Sequence, residues 1–125
     1  IGVGLVGSEM CIRDSLWPVE PQDGPFEYVP GSHRLGARRL QWEQRTADAA
    51  IRHQRQPDVS GSFRIHEDAL AELDLPAPKA FTCPANTLVL ADVFGFHRRG
   101  SALPGRRRLS LYGWNRPYPF LPITW

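Results

Sequence analysis

Hydrophobic and polar positions alternate over short stretches separated by turn signals, which is the pattern of a chain rich in strands. Phe26-Glu27-Tyr28-Val29 alternates in this way between the turns Asp23-Gly24-Pro25 and Pro30-Gly31-Ser32-His33. From Ala37 to Gln56 the period lengthens to that of a helix. Leu40, Ala47 and Ile51 fall on one predicted buried stripe there, with Arg, Glu and Gln elsewhere. Pro57 to Ser62 predicts a loop. A second helix is expected over Glu67 to Leu73, its acidic Glu67 and Asp68 favourable at the positive N-terminal end. Beyond Pro78 the pattern predicts strands over Ala80–Cys83, Thr87–Leu90, Val93–His97 and Leu109–Trp114. Thr87–Leu90 is almost wholly apolar and is expected to be buried on both faces. The prolines of Pro117-Tyr118-Pro119-Phe120-Leu121-Pro122 exclude a central strand and predict a tail across the outside. The fold class is mostly β with inserted helices.

Composition narrows this picture. With 125 residues, 42% hydrophobic and 22% charged, the chain is a single soluble globular domain. It lacks the run of about 18 apolar residues that a membrane-spanning helix needs. A net charge of +2 is too small to imply a nucleic-acid partner, and the Arg clusters are not interleaved with aromatics along one groove.

Residues 1–15 suggest a signal peptide but lack its basic start and long apolar stretch. Leu5 to Ser15 back-translates into a sequence that resembles a transposase sequencing adapter ending in its mosaic end. Residues 1–15 therefore read as a non-native artefact, and residues 16–125 as the C-terminal part of one domain. Cys83 is then the one native cysteine, which excludes an internal disulfide and predicts a reducing, cytoplasmic setting.

Two residues stand out chemically. His97 leaves the run Phe94-Gly95-Phe96-His97, where a sheet would hold a neutral imidazole rigidly enough to ligate a metal. Ten residues further, Arg108 opens a strand that puts Arg108, Ser110, Tyr112 and Trp114 on one face, with Leu109 and Leu111 on the other. One face is polar and one apolar, as in a barrel with a charged ligand inside. An inward Arg grips a carboxylate through two parallel hydrogen bonds. Arg106 is the second choice for that grip, and Arg107 should point the other way. A solvated basic run is the plain alternative.

The segment Gly24-Pro25-Phe26-Glu27-Tyr28-Val29-Pro30-Gly31-Ser32-His33-Arg34 resembles the "G.L..VPGSH" motif of the phytanoyl-CoA dioxygenase family. Asn86 to Asp92, then Phe96-His97 and Arg108, resembles that family's C-terminal signature, so the likeness runs in order from Asp23 to Phe120. The resemblance implies a double-stranded β-helix, or jelly roll, that uses Fe(II), 2-oxoglutarate and O2 to hydroxylate a small organic substrate. It implies that His97 is the distal histidine of a 2-His-1-carboxylate triad and that Arg108 grips the far carboxylate of 2-oxoglutarate. His33 is a further candidate for contact with substrate or for support of the ligands.

The sequence departs from that family in one respect. Its His-x-Asp, which supplies two of the three ligands, should precede Gly24, and no histidine precedes His33. The literal match His66-Glu67-Asp68 follows the Pro-Gly-Ser-His segment and starts a helix, so it is rejected as the ligand pair. The expectation is a dioxygenase fragment that is inactive as written. The alternative is a non-catalytic β-barrel for binding or scaffolding, and a nucleic-acid module is the weakest reading. His53 is expected to be exposed, and Cys83 to be inert.

Overall fold

The computed structural model describes residues 2–4, 10–53 and 62–115, with the side chains of 2–4, 10–14, 53, 62–63 and 114–115 left aside. Its elements are strands β1 (Gly2–Gly4), β2 (Met10–Ser15) and β3 (Phe26–Tyr28), helix α1 (Ala37–His53), strand β4 (Ser62–Arg64) and helix α2 (Glu67–Glu72). Strands β5 (Lys79–Phe81), β6 (Thr87–Asp92), β7 (His97–Arg99) and β8 (Ser110–Asn115) follow. All pairings are antiparallel. Five strands form one sheet in the order β4-β1-β7-β3-β5, and three form another in the order β6-β2-β8. From β5 onward the chain alternates between the two sheets. Residues 10–15, read from the sequence as non-native, supply the centre strand of the smaller sheet.

One face of the five-stranded sheet carries the main core. Val29, Trp42, Ile65, Leu70, Leu73 and Phe96 form one buried cluster beneath the two helices. The Trp42 ring meets Phe96 edge-on, with centroids 5.4 Å apart. Here the expected stripe of α1 is corrected. Leu40 and Ile51 are 52% and 73% exposed, whereas Arg39, Trp42 and Ala50 are buried. Arg39 enters the core because its charge is met there. Its Nε donates to Glu43 Oε1 at 2.7 Å, its Nη1 donates to the Ser32 carbonyl at 2.7 Å, and its guanidinium lies 3.8 Å from the Phe96 ring centre.

Two further expectations change. Thr87–Leu90 is not buried on both faces: β6 alternates, with Leu88 and Leu90 63% and 56% exposed. Its sheet has three strands among the described residues, so one face lies open. Nor is Val93–His97 a strand. Residues 93–95 turn, because Asp92 Oδ1 accepts from the Phe94 N–H at 2.9 Å and the Asp92 carbonyl from the Gly95 N–H at 3.1 Å. The strand therefore begins at His97 instead of ending there. The tail 117–122 lies outside the described residues, and so does the loop expected over Pro57–Ser62 except for Ser62, which opens β4 instead.

Candidate functional site

The alternation of β3 and β7 decides where His97 faces. Tyr28 pairs with His97, and Phe26 with Arg99 and Phe81, so these residues share one face, while Glu27 and Arg98 share the other. The Glu27–Arg98 ion pair and the Arg98–Glu67 contact lie on the helix-covered side. His97 thus lies on the side turned toward the smaller sheet, its ring centre 5.7 Å from that of Phe26. Phe26 is itself buried and sits 6.0 Å from Phe81.

Arg108 approaches the same ring from the opposite sheet. It lines, with Ser15, Val19, Phe26, Phe81, Cys83, Val89 and Ser110, a narrow space of about 10 Å³ between the sheets. That is about the room one water molecule requires. Arg108 Nη1 donates to the Gly24 carbonyl at 2.8 Å. Gly24 is required there. Its φ is +69°, and a Cβ would lie 3.0 Å from the Gly100 carbonyl oxygen and 3.1 Å from Arg99 Nε.

The strand entry holding His97 is strongly supported. Ser32 Oγ donates to the Val29 carbonyl at 2.7 Å and accepts from the Phe96 N–H at 2.8 Å. Ser32 thereby ties the Pro-Gly-Ser-His turn to the residue just before His97. Gly95 leaves room for Tyr28, whose hydroxyl would fall 1.9 Å from an added Cβ. That hydroxyl donates to the Asp92 carbonyl at 3.1 Å, and burial, reinforced by the Asp92 carboxylate, pushes the Tyr28 pKa up. His97 Nδ1 lies 2.8 Å from the Gly95 carbonyl oxygen. With a proton on Nδ1, the imidazole keeps Nε2 as its coordinating nitrogen.

The other expected residues do not join this pair. Arg106 binds Glu20 at 2.7 Å and Asp23 at 3.2 Å, so its charge is met by the chain's own carboxylates. Arg107 is exposed. His33 is exposed in its turn, and His66 is exposed at the start of α2. Glu67, beside His66, reaches Arg98 on the face away from His97. Cys83 is half-buried with a free thiol. The His53 side chain lies outside the described residues. Among the described residues no three His, Cys, Asp or Glu side chains converge on one point. His97 alone cannot define an iron site, so the residues present do not fit Fe(II).

Sequence reasoning missed Arg39 and Ser32 as the supports of His97. The serine was visible in its motif, but its partner Phe96 lies 64 positions away. A larger cleft, about 370 Å³, opens at the start of α1 among Ser32, Arg34, Arg38, Arg39 and Leu73–Leu75. It lies on the helix side, away from the His97 face. No described helix is long and apolar enough to cross a membrane. The chain matches no family model, no curated protein sequence and no solved structure.

Proposed function

We propose that this chain is the C-terminal part of a jelly-roll dioxygenase of the phytanoyl-CoA dioxygenase type, dependent on Fe(II), 2-oxoglutarate and O2. The parent enzyme would hydroxylate a small organic substrate, and the chain itself is inactive. One observation supports the reading: the Phe26 ring, whose centre lies 5.7 Å from that of His97, also lines with Arg108 the narrow space between the two sheets. The alternation of strands between sheets supports a jelly roll. Arg108 would hold the distant carboxylate of 2-oxoglutarate through its planar fork. His97 would supply one metal ligand. The other two ligands are wanting, so no reaction step is assigned to these residues.

A second reading, a non-catalytic barrel, is favoured by two features. The space between the sheets is about 10 Å³, and Arg108 donates to the Gly24 carbonyl, a protein acceptor. The native coding sequence upstream of Leu16 discriminates the two. A His-x-Asp shortly before Gly24 supports the dioxygenase, and its absence leaves the barrel. The chain as written should consume no 2-oxoglutarate with Fe(II), and turnover would overturn the assignment of inactivity.

A further inference from the structure

We infer that the three-stranded sheet is a joint between copies of this chain, in which β8 of one copy adds as an antiparallel strand to the free edge of β6 in the next. This joint is independent of the roles given to His97 and Arg108 and of the dioxygenase reading. Strands β6 and β8 are the two edges of that sheet, and each pairs only with β2 among the described residues. Both run for six residues. Strand β6 carries neither a charge nor a proline before Asp92, and β8 carries neither at any position. Charges, prolines and short length are what ordinarily keep an open edge from pairing with another chain. The edges of the larger sheet are guarded in that way: β4 and β5 have three residues each, with Arg64 in one and Lys79 in the other.

Side-chain pairing selects the register. Leu88 and Leu111 both stand opposite Asp14 of β2, so they share the outer face, and alternation adds Leu90 and Asp92 to it. Ahead of β8, Arg108 lines the space between the sheets with Ser110, while Arg107 and Leu109 are exposed. Setting Leu111 of the added copy opposite Leu88 then brings Leu109 opposite Leu90 and Arg107 opposite Asp92. A shift of two residues either way faces Leu90 with Arg107 or Leu88 with Gly113. One register thus matches both leucine pairs and the charge pair. Neither Asp92 nor Arg107 has an ion-pair partner among the described residues. Side chains directly opposite across two antiparallel strands lie about 4.5–5.5 Å apart at Cβ, close enough for both kinds of pair. A two-fold pairing of β6 with itself sets Leu88 opposite Leu90 but leaves Asp92 beside Asn86 and Arg107 unmatched. The favoured joint is therefore head-to-tail, and every added copy keeps a free edge, so copies add without a closing step.

Sedimentation of the full chain over a concentration series tests this. The mean mass should rise past that of a dimer without a plateau. Leu90→Lys should block the β6 edge and Leu111→Lys the β8 edge, both at exposed positions where the fold tolerates the change. Each variant alone should stay monomeric. An equal mixture should give a one-to-one dimer, because one copy still offers β8 and the other still offers β6. A chain that stops at the dimer or stays monomeric throughout overturns the inference, and so does a variant that dimerises alone or a mixture that does not. Arg107→Glu should weaken association about 10-fold by setting like charges opposite one another. Asp92→Asn in the same chain, which keeps the Oδ1 acceptor of the 92–95 turn, should restore part of the loss. No change from Arg107→Glu overturns the register. Cross-linking checks the joint a second way, with Leu88→Cys in one copy and Leu111→Cys in the other, both in a Cys11→Ala/Cys83→Ala background. Oxidation should link unlike copies and leave either variant alone unlinked; links between like copies overturn the head-to-tail joint.

Discussion

The two sheets of this molecule are finished to different degrees. The five-stranded sheet has a face sealed by helices, where Phe96 and Val29 are fully buried and even an arginine has its charge satisfied. The three-stranded sheet turns Leu88, Leu90 and Leu111 outward, each more than half exposed. The larger cluster of buried side chains therefore lies on the helix side of the larger sheet, while Phe26, beside both His97 and the space lined by Arg108, lies on its other side.

The sharpest way to break this asymmetry is Arg39→Met. It removes the partner of the half-buried Glu43 carboxylate and the donor to the Ser32 carbonyl. Breaking a buried ion pair from one side costs about 3–5 kcal/mol, so the urea midpoint should fall far or the fold should be lost. Phe96→Ala, which empties the centre of the same cluster, should cost about 3–5 kcal/mol as well. A loss under about 1 kcal/mol from both would mean that the helix side does not carry the fold.

Ser32→Ala comes next. It deletes the link between the Val29 carbonyl and the Phe96 N–H and leaves a buried donor without its acceptor. The expected loss is about 1–3 kcal/mol in denaturant unfolding. Arg39→Met and Ser32→Ala should be non-additive, because both act on the Ser32 turn.

These two residues also measure how far the sequence could be read. Turn chemistry and two-residue alternation located β3, β5, β6 and β8 within a few positions, because those signals are local. The helical period located α1 but not its buried face. A hydrophobic stripe counts Leu40 and Ile51 as core, and nothing local reveals that Glu43 and the Ser32 carbonyl neutralise Arg39. The apolar run at β6 misled for a related reason. Its burial depends on how many layers cover the sheet, which the segment itself does not encode. His97 and Arg108 were legible as candidates from residue type and spacing, and the strand expected over Leu109–Trp114 lies at Ser110–Asn115. That each lies near Phe26 depends on long-range pairing and was not legible.

Tyr28 sharpens the comparison from the thinner side. Tyr28→Phe removes the hydrogen bond to the Asp92 carbonyl and should cost about 0.5–1.5 kcal/mol. Burial raises the phenol's pKa in the folded chain, so the folded state holds its proton more firmly than the unfolded one. The folded chain binds the greater number of protons only above the unfolded value of about 10. Stability should thus be flat with respect to this group below about pH 10 and fall as pH rises beyond it. Tyr28→Phe should flatten that alkaline fall. A fall of unchanged steepness in the variant would assign it to other groups.

The smallest effect belongs to the open face. Leu88 and Leu111 stand opposite one another across Asp14, and Leu90 continues the same face of β6. Replacing a large core side chain costs several kcal/mol because it leaves a cavity. Exposed side chains leave none, so Leu90→Thr should change unfolding free energy by no more than about 0.5 kcal/mol. It should instead reduce self-association at high concentration, measured by light scattering, since exposed apolar patches beside open strand edges drive contact between copies. The two readouts must therefore separate: stability nearly constant, association lower. A loss of about 2 kcal/mol or more would place Leu90 in a packed environment and remove the contrast between the two sheets.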